Sequence, residues 1–236
     1  MDKQIIFIGS VHEPTPLITP ADIVAILEQH RIEVILLEFP PEWESQIDRI
    51  MNMTEHSTIE CQAANIYRQS HSVTFHCMDI AGRNNYFMES NYFENLDAWC
   101  DFKEIYFSSE PANPAALALE STIQKAWNVI NDATTGIFSG TLQTINSPQS
   151  DELVELNHYI MREAALMQFD LVPEFQPYRA SWMERSAFDD RRNQAMINNI
   201  VKFCAEYPDQ NIAVLCVCYH RFALVKGIAA KGITTI

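Results

Sequence analysis

At 236 residues, 47% of them apolar, the chain has enough hydrophobic side chain to fill the core of one large domain. Its 31 acidic residues outweigh 16 basic ones, a formal net charge of −15, and no local cluster of Lys and Arg offsets the excess. Such a surface repels nucleic-acid phosphates and anionic lipid headgroups, so neither nucleic acid nor membrane is expected as a partner.

The opening run, "IIFIGS", reads as a buried strand from Gln4 to Gly9. It is too short for a signal-peptide core and no later run could span a bilayer, so a cytoplasmic location is expected. Thr19, Pro20 and Asp22 mark a helix start, and Ile23, Ile26 and Leu27 form its apolar stripe. A second strand extends from Val34 to Glu38. Helices are expected over Pro41 to Met53 and Ile59 to Gln69, then a third strand over Val73 to Met78.

From about Tyr86 to Tyr207 helical patterns dominate: Pro114 to Asn131, Asp151 to Gln168, and Trp182 to Tyr207, the last opened by a capping box of Ser181 and Glu184. The segment 136–150, "GIFSGTLQTINSPQS", is the most loop-like. A fourth strand covers Ile212 to Val217, a last helix runs from near His220 to about Lys231 with Gly232 as its left-handed stop, and a fifth strand is expected over Ile233 to Ile236. Strands alternating with helices imply one α/β domain over 1–236: a mainly parallel sheet with helices on both faces and a helical insertion or cap at about 86–180.

In such a sheet, ligands bind beyond the carboxyl ends of the strands. The residues just past each strand are therefore informative: Gly9-Ser10-Val11-His12-Glu13, then Glu38, then Asp79, then Tyr219-His220-Arg221. Two imidazoles and two carboxylates on one rim could hold a divalent ion or act directly as base and electrophilic partner on a carbonyl. Each also has a plainer reading. A histidine at a strand end is usually just hydrogen-bonded, and Asp79 could cap a turn. Glu38, closing the apolar "VILLE", is costly to bury unless paired. Gly9 lets the backbone turn and approach a ligand.

Arg185, Asp189, Arg192, Met196 and Asn199 share one helical face, and paired charges there usually mean only a solvated surface; Arg192 near the rim could instead clamp a carboxylate or a developing anion. The six cysteines read as reduced, buried thiols. The alternation of Cys216, Cys218 and His220 as a soft-metal set is a weaker reading, lacking a fourth ligand. No P-loop, G-x-G-x-x-G or G-x-S-x-G motif is present.

"IGSVHEPT" resembles the first G-x-x-H motif of the superfamily that contains the TraB pheromone-shutdown proteins, the Tiki metalloproteases, the erythromycin esterases and the ChaN-type haem or iron-regulated proteins. "VILLEFP" resembles that group's strand-end glutamate, and "RRNQAMINNI" its R-N-x-x-M helix, with Arg192, Asn193 and Met196 in place. "VLCVCYH" stands at the second G-x-x-H, matching the histidine with His220 but carrying Val217 where glycine is expected.

The resemblance implies an α/β fold with His12, Glu38 and His220 around one pocket. Members of that superfamily include metal-dependent peptidases, metal-independent esterases and haem-binding proteins, so the resemblance does not fix the reaction; the first expectation is a hydrolase of amide or ester bonds, acting on a small-molecule or peptide substrate. Water would be activated by His12 and Glu38, with or without a divalent metal (Mn, Zn or Co) on His12, Glu38 and His220, and Arg192 would stabilise the anionic intermediate. Gly9, Ser10, Glu13, Asp79, Asn193, Tyr219 and Arg221 complete the expected substrate contacts. The alternatives are a haem or small-ligand binder, with Tyr86, Phe87, Tyr92, Phe93 and Trp99 as stacking surface, or an inactive scaffold that acts through its acidic surface or pairs with itself as a homo-oligomer.

Overall fold

The computed structural model describes residues 4–51, 58–109 and 113–236. Four parallel strands form the sheet, in the order β1 (Ile5–Ser10), β4 (Ile212–Val217), β2 (Val34–Leu37), β3 (Thr74–Cys77). The last strand in sequence is thus inserted between the first two. Ser10 pairs with Val217, and Leu37 with both Leu215 and Cys77, so all four strands leave the sheet on one rim.

Successive side chains alternate between faces, and both faces are covered. Ile6, Ile8, Ile35, Leu37, Ala213 and Leu215 pack against α1 (Pro20–Gln29) and α3 (Ile59–Tyr67). Ile5, Phe7, Val34, Leu36, Ile212, Val214 and Cys216 pack against α9 (Gln176–Glu206) and α10 (Cys218–Ala230). This two-sided burial is why β1, β2 and β4 read as unbroken apolar runs, whereas the edge strand β3 is only partly buried. The insertion comprises α4 (Arg83–Glu89), α5 (Tyr92–Ser108), α6 (Pro114–Phe138), α7 (Leu142–Ile145) and α8 (Pro148–Leu171). It has its own aromatic core of Trp99, Phe169 and Phe175. Among the described residues, no helix is long and apolar enough to cross a membrane.

Several boundaries differ from expectation. Residues 233–236 form no strand: Ile236 makes one ladder-like bond, its N–H to Ile5 O at 3.1 Å, and the pairing goes no further. The expected helix after β2 is a 3-10 stretch (Pro41–Gln46) and then α2 (Ile47–Met51), with residues 52 and 53 outside the described residues, as is His56. Segment 136–150 is mostly helical, because Ser147 caps α8 and Pro148 starts it.

Helix α9 begins at Gln176, with Pro177 in its first turn. The Ser181/Glu184 pair therefore lies inside the helix, where the Ser181 hydroxyl donates back to Tyr178 O at 2.9 Å. Cys100 is exposed, unlike the five buried thiols.

Candidate active site

Arg192 projects from α9 to the rim and is the hub of a buried charge network. Its Nε donates to Asp79 Oδ1 and Oδ2 at 2.9 and 3.0 Å, and Nη2 to Asp79 Oδ2 at 2.7 Å and Glu38 Oε1 at 2.6 Å. Nη1 donates to His220 Nε2 at 2.9 Å. Arg83, from the first turn of α4, adds a bond to Asp79 Oδ2 at 2.6 Å. Among the described residues these contacts use four of the five guanidinium N–H groups of Arg192 and leave one on Nη1.

The charges follow from the geometry. Burial pushes the Asp79 carboxyl up, but hydrogen bonds and charge from Arg192, with Arg83, outweigh it and hold it below its ordinary range. Burial likewise works against the Arg192 cation, yet Asp79 and Glu38 raise its pKa above the usual arginine value. Burial lowers the pKa of His220, partly opposed by Glu38 and Asp79. Because a guanidinium only donates, Nε2 of His220 must be the bare nitrogen, and Nδ1–H donates to Asn193 Oδ1 at 2.7 Å. The imidazole is therefore neutral and held on both sides.

Val217 answers for the missing glycine. Its φ and ψ, −66° and 143°, are open to any residue, and its N–H donates to Glu38 Oε2 at 2.9 Å. The contact with Glu38 is made by the backbone and needs no glycine.

His12 lies across a small cavity from this network. The cavity is lined by His12, Glu38, Phe39, Thr58, Glu60 and Cys61, with Leu37, Leu215 and Cys216 at its base. Beyond the end of β1 the chain turns sharply, and His12 takes the left-handed conformation with φ 62°. Its carbonyl accepts from Ile59 N–H at 2.8 Å, tying the turn to α3.

The side chain of His12 is 46% exposed, whereas Glu60, its partner through Nδ1 at 3.2 Å, is 5% exposed. The Ser10 hydroxyl donates to the same carboxylate oxygen. Burial pushes the Glu60 carboxyl up, but bonds from His12, Ser10 and Thr58 bring it below its ordinary value; its hydrogen bond in turn raises the pKa of His12 against burial. With Nδ1–H donating to a carboxylate, the lone pair of the neutral ring sits on Nε2.

The rim thus brings together Glu38, Asp79, Arg192, Asn193 and His220, with His12 and Ser10 beside them. Glu13 is exposed and outside the network. Tyr219 turns away, its ring edge-on to Phe138 at 5.4 Å, and Arg221 bonds to Asp151 of α8. Cys218 begins a helix, so Cys216, Cys218 and His220 do not alternate along a strand, and burial pushes the Cys218 thiol up to about 12.

Of the aromatic residues considered for stacking, Tyr86 and Phe87 pack on Phe188 and Tyr92, while Trp99 packs on Phe169. Sequence reading missed Glu60 and Arg83. No pattern in the sequence marked Glu60, which stands in the first turn of α3 between Ile59 and Cys61.

A metal fits this donor set poorly. Among the described residues no three His, Cys, Asp or Glu side chains are gathered around a common point. Both oxygens of Glu38 and both nitrogens of His220 are engaged by Arg192, Asn193 and the Val217 amide.

No protein-family model matches the chain, and no curated protein sequence matches it. Among solved structures, a mutant of the erythromycin esterase EreC in its open conformation aligns with a TM-score of 0.36 and 13% identity, over 91% of this chain and 60% of that one. The chain therefore spans about 60% of the length of that esterase. At that identity and TM-score the likeness bears on neither substrate nor mechanism.

Proposed function

We propose that the chain is a hydrolase of ester or amide bonds in a small-molecule or peptide substrate, with His12 as the general base that activates water. The observation that carries this reading is the array Ser10–Glu60–His12. A half-exposed imidazole has one nitrogen fixed on a buried carboxylate, and its other nitrogen has no hydrogen-bond partner among the described residues, beside a cavity that the ring lines. That is the arrangement an oriented base requires.

In this reading Nε2 of His12 removes a proton from water as the water oxygen bonds to the substrate carbonyl carbon. Glu60 stabilises the resulting imidazolium, which returns the proton to the departing oxygen or nitrogen. Arg192, through its remaining Nη1–H and its charge, offsets the negative charge that develops on the carbonyl oxygen. Glu38, Asp79 and His220 hold that guanidinium in place. Because the donor atoms of Glu38 and His220 are committed to this task, no step is routed through a metal.

The test is turnover of ester and amide panels by protein whose metal content has been measured, with and without chelator. We expect turnover that survives chelation and falls by about 10²–10⁴ in kcat/KM for His12→Ala, the usual scale of a lost acid–base group. Turnover indifferent to that substitution, or none on any panel member, would remove the reading.

A further inference from the structure

We propose that Asn146 is a positioning residue for His12: its carboxamide completes the outer edge of β1 at Gly9 and fixes the strand tip on which His12 is mounted. The proposal rests on the reading of His12 as the base.

Strand β1 lies at the edge of the sheet, bonded to β4 on one side. On the other side Gly9 N–H donates to Asn146 Oδ1 at 2.6 Å, and Asn146 Nδ2 donates to Gly9 O at 3.0 Å. A side-chain amide carries its C=O and one N–H on the same side, so Asn146 can bond both the N–H and the C=O of Gly9, as one residue of a further strand would. The assignment of its oxygen and nitrogen is settled by the partners. Gly9 N–H can only donate, whereas Gly9 O and Leu142 O, which also accepts from Nδ2 at 2.8 Å, can only accept.

One face of Gly9 is also closely covered: a Cβ there would come within 3.0 Å of Arg221 Cδ and 3.1 Å of Cys218 Cα, so the first turn of α10 packs directly on this residue.

From Gly9 to His12 every link is tied. Ser10 bonds Glu60, His12 N–H reaches Ser10 Oγ at 3.4 Å, and Ile59 N–H holds His12 O. A left-handed conformation at a non-glycine residue persists only where its surroundings enforce it. Releasing Gly9 frees the tip to relax and carries the imidazole off Glu60. Asn146 lies between α7 and α8, 137 positions from Gly9, so this side chain links the helical insertion to the strand that carries the candidate base.

The test uses the full chain with Asn146→Ala and Asn146→Asp. The aspartate keeps the acceptor for Gly9 N–H but sets a second oxygen against Gly9 O and Leu142 O. His12 is titrated by NMR in each protein, and kcat and KM are measured on 4-nitrophenyl acetate. We expect the His12 pKa to fall toward the ordinary 6.5. The same displacement should lower kcat by about tenfold with KM within about twofold, as expected of a displaced catalytic group.

A wild-type titration of His12 in both variants overturns the proposal. If neither variant folds, amide exchange in the wild type decides: slow exchange at Gly9 supports the clamp, and exchange at the rate of an unbonded amide overturns it. A wild type that turns over no ester or amide removes the hydrolase reading alone, and the titration still decides the role of Asn146.

Discussion

His12 is strained in its backbone, half-exposed at its ring, and tied to Glu60 through one nitrogen. In the proposed role as base, His12 must be unprotonated to work, and the Glu60 hydrogen bond raises its pKa despite burial. We therefore expect kcat/KM to rise with pH to a plateau, with a midpoint above 6.5. Glu60→Gln removes the charge that raises it and should move the midpoint downward while lowering the plateau; a midpoint unchanged in that variant would show that Glu60 does not govern the base. Glu38 and Asp79 could be picked out in sequence because an acid closing an apolar strand is conspicuous. Glu60 could not, because an acid in the first turn of a helix looks like ordinary stabilisation of the helix dipole. Its actual role depends on Ser10 and His12, about 50 residues away.

Helix α9 shows what periodicity can and cannot convey. The stripe Arg185, Asp189, Arg192, Met196 and Asn199 does share a face, and that face meets the protein. Arg185 lies over the Tyr92 ring at 3.8 Å, Asp189 accepts from Tyr92 OH at 2.7 Å, and Asn199 Nδ2 donates to Met78 O at 2.9 Å. A charged stripe reads as solvated surface unless the partners on other elements are known. The crossing of α9 and α10 is close enough to test: a Cβ on Gly227 would fall 2.2 Å from Ile197 Cδ1. Gly227→Ala should therefore destabilise the fold by about 1–3 kcal/mol through overpacking, despite alanine's better helix propensity. Chemical denaturation measures it, and a stabilised variant would show that the two helices can slide apart.

At the scale of the molecule, stability against pH sums the perturbed groups. Asp79 and Glu60 have folded pKa values lowered from 3.8 and 4.5, so the stability they contribute is present above those values and lost as pH falls through the folded ones. His220 and His158, both lowered from 6.5 chiefly by burial, contribute above 6.5 and lose their contribution as pH falls below that. His12 has the opposite sign: raised, it contributes fully below 6.5 and loses its contribution as pH rises through its folded value. We expect destabilisation to begin on the acid side of 6.5 and steepen below 4.5, measured by thermal melts across pH; a flat profile between 6.5 and 4.5 would mean that His220 is not held neutral. The sequence by itself determined the four strands of the sheet, most of the helices that cover them and the rim on which polar residues fall, since burial on both faces and helical periodicity are local patterns. Only the tertiary structure decided the sheet order, with β4 between β1 and β2. It alone decided that Arg192 bonds Glu38, Asp79 and His220 together, and that Glu60 and Asn146 bond His12 and Gly9. Those outcomes depend on which distant groups satisfy each buried charge and each open backbone edge, and no spacing along the chain records that.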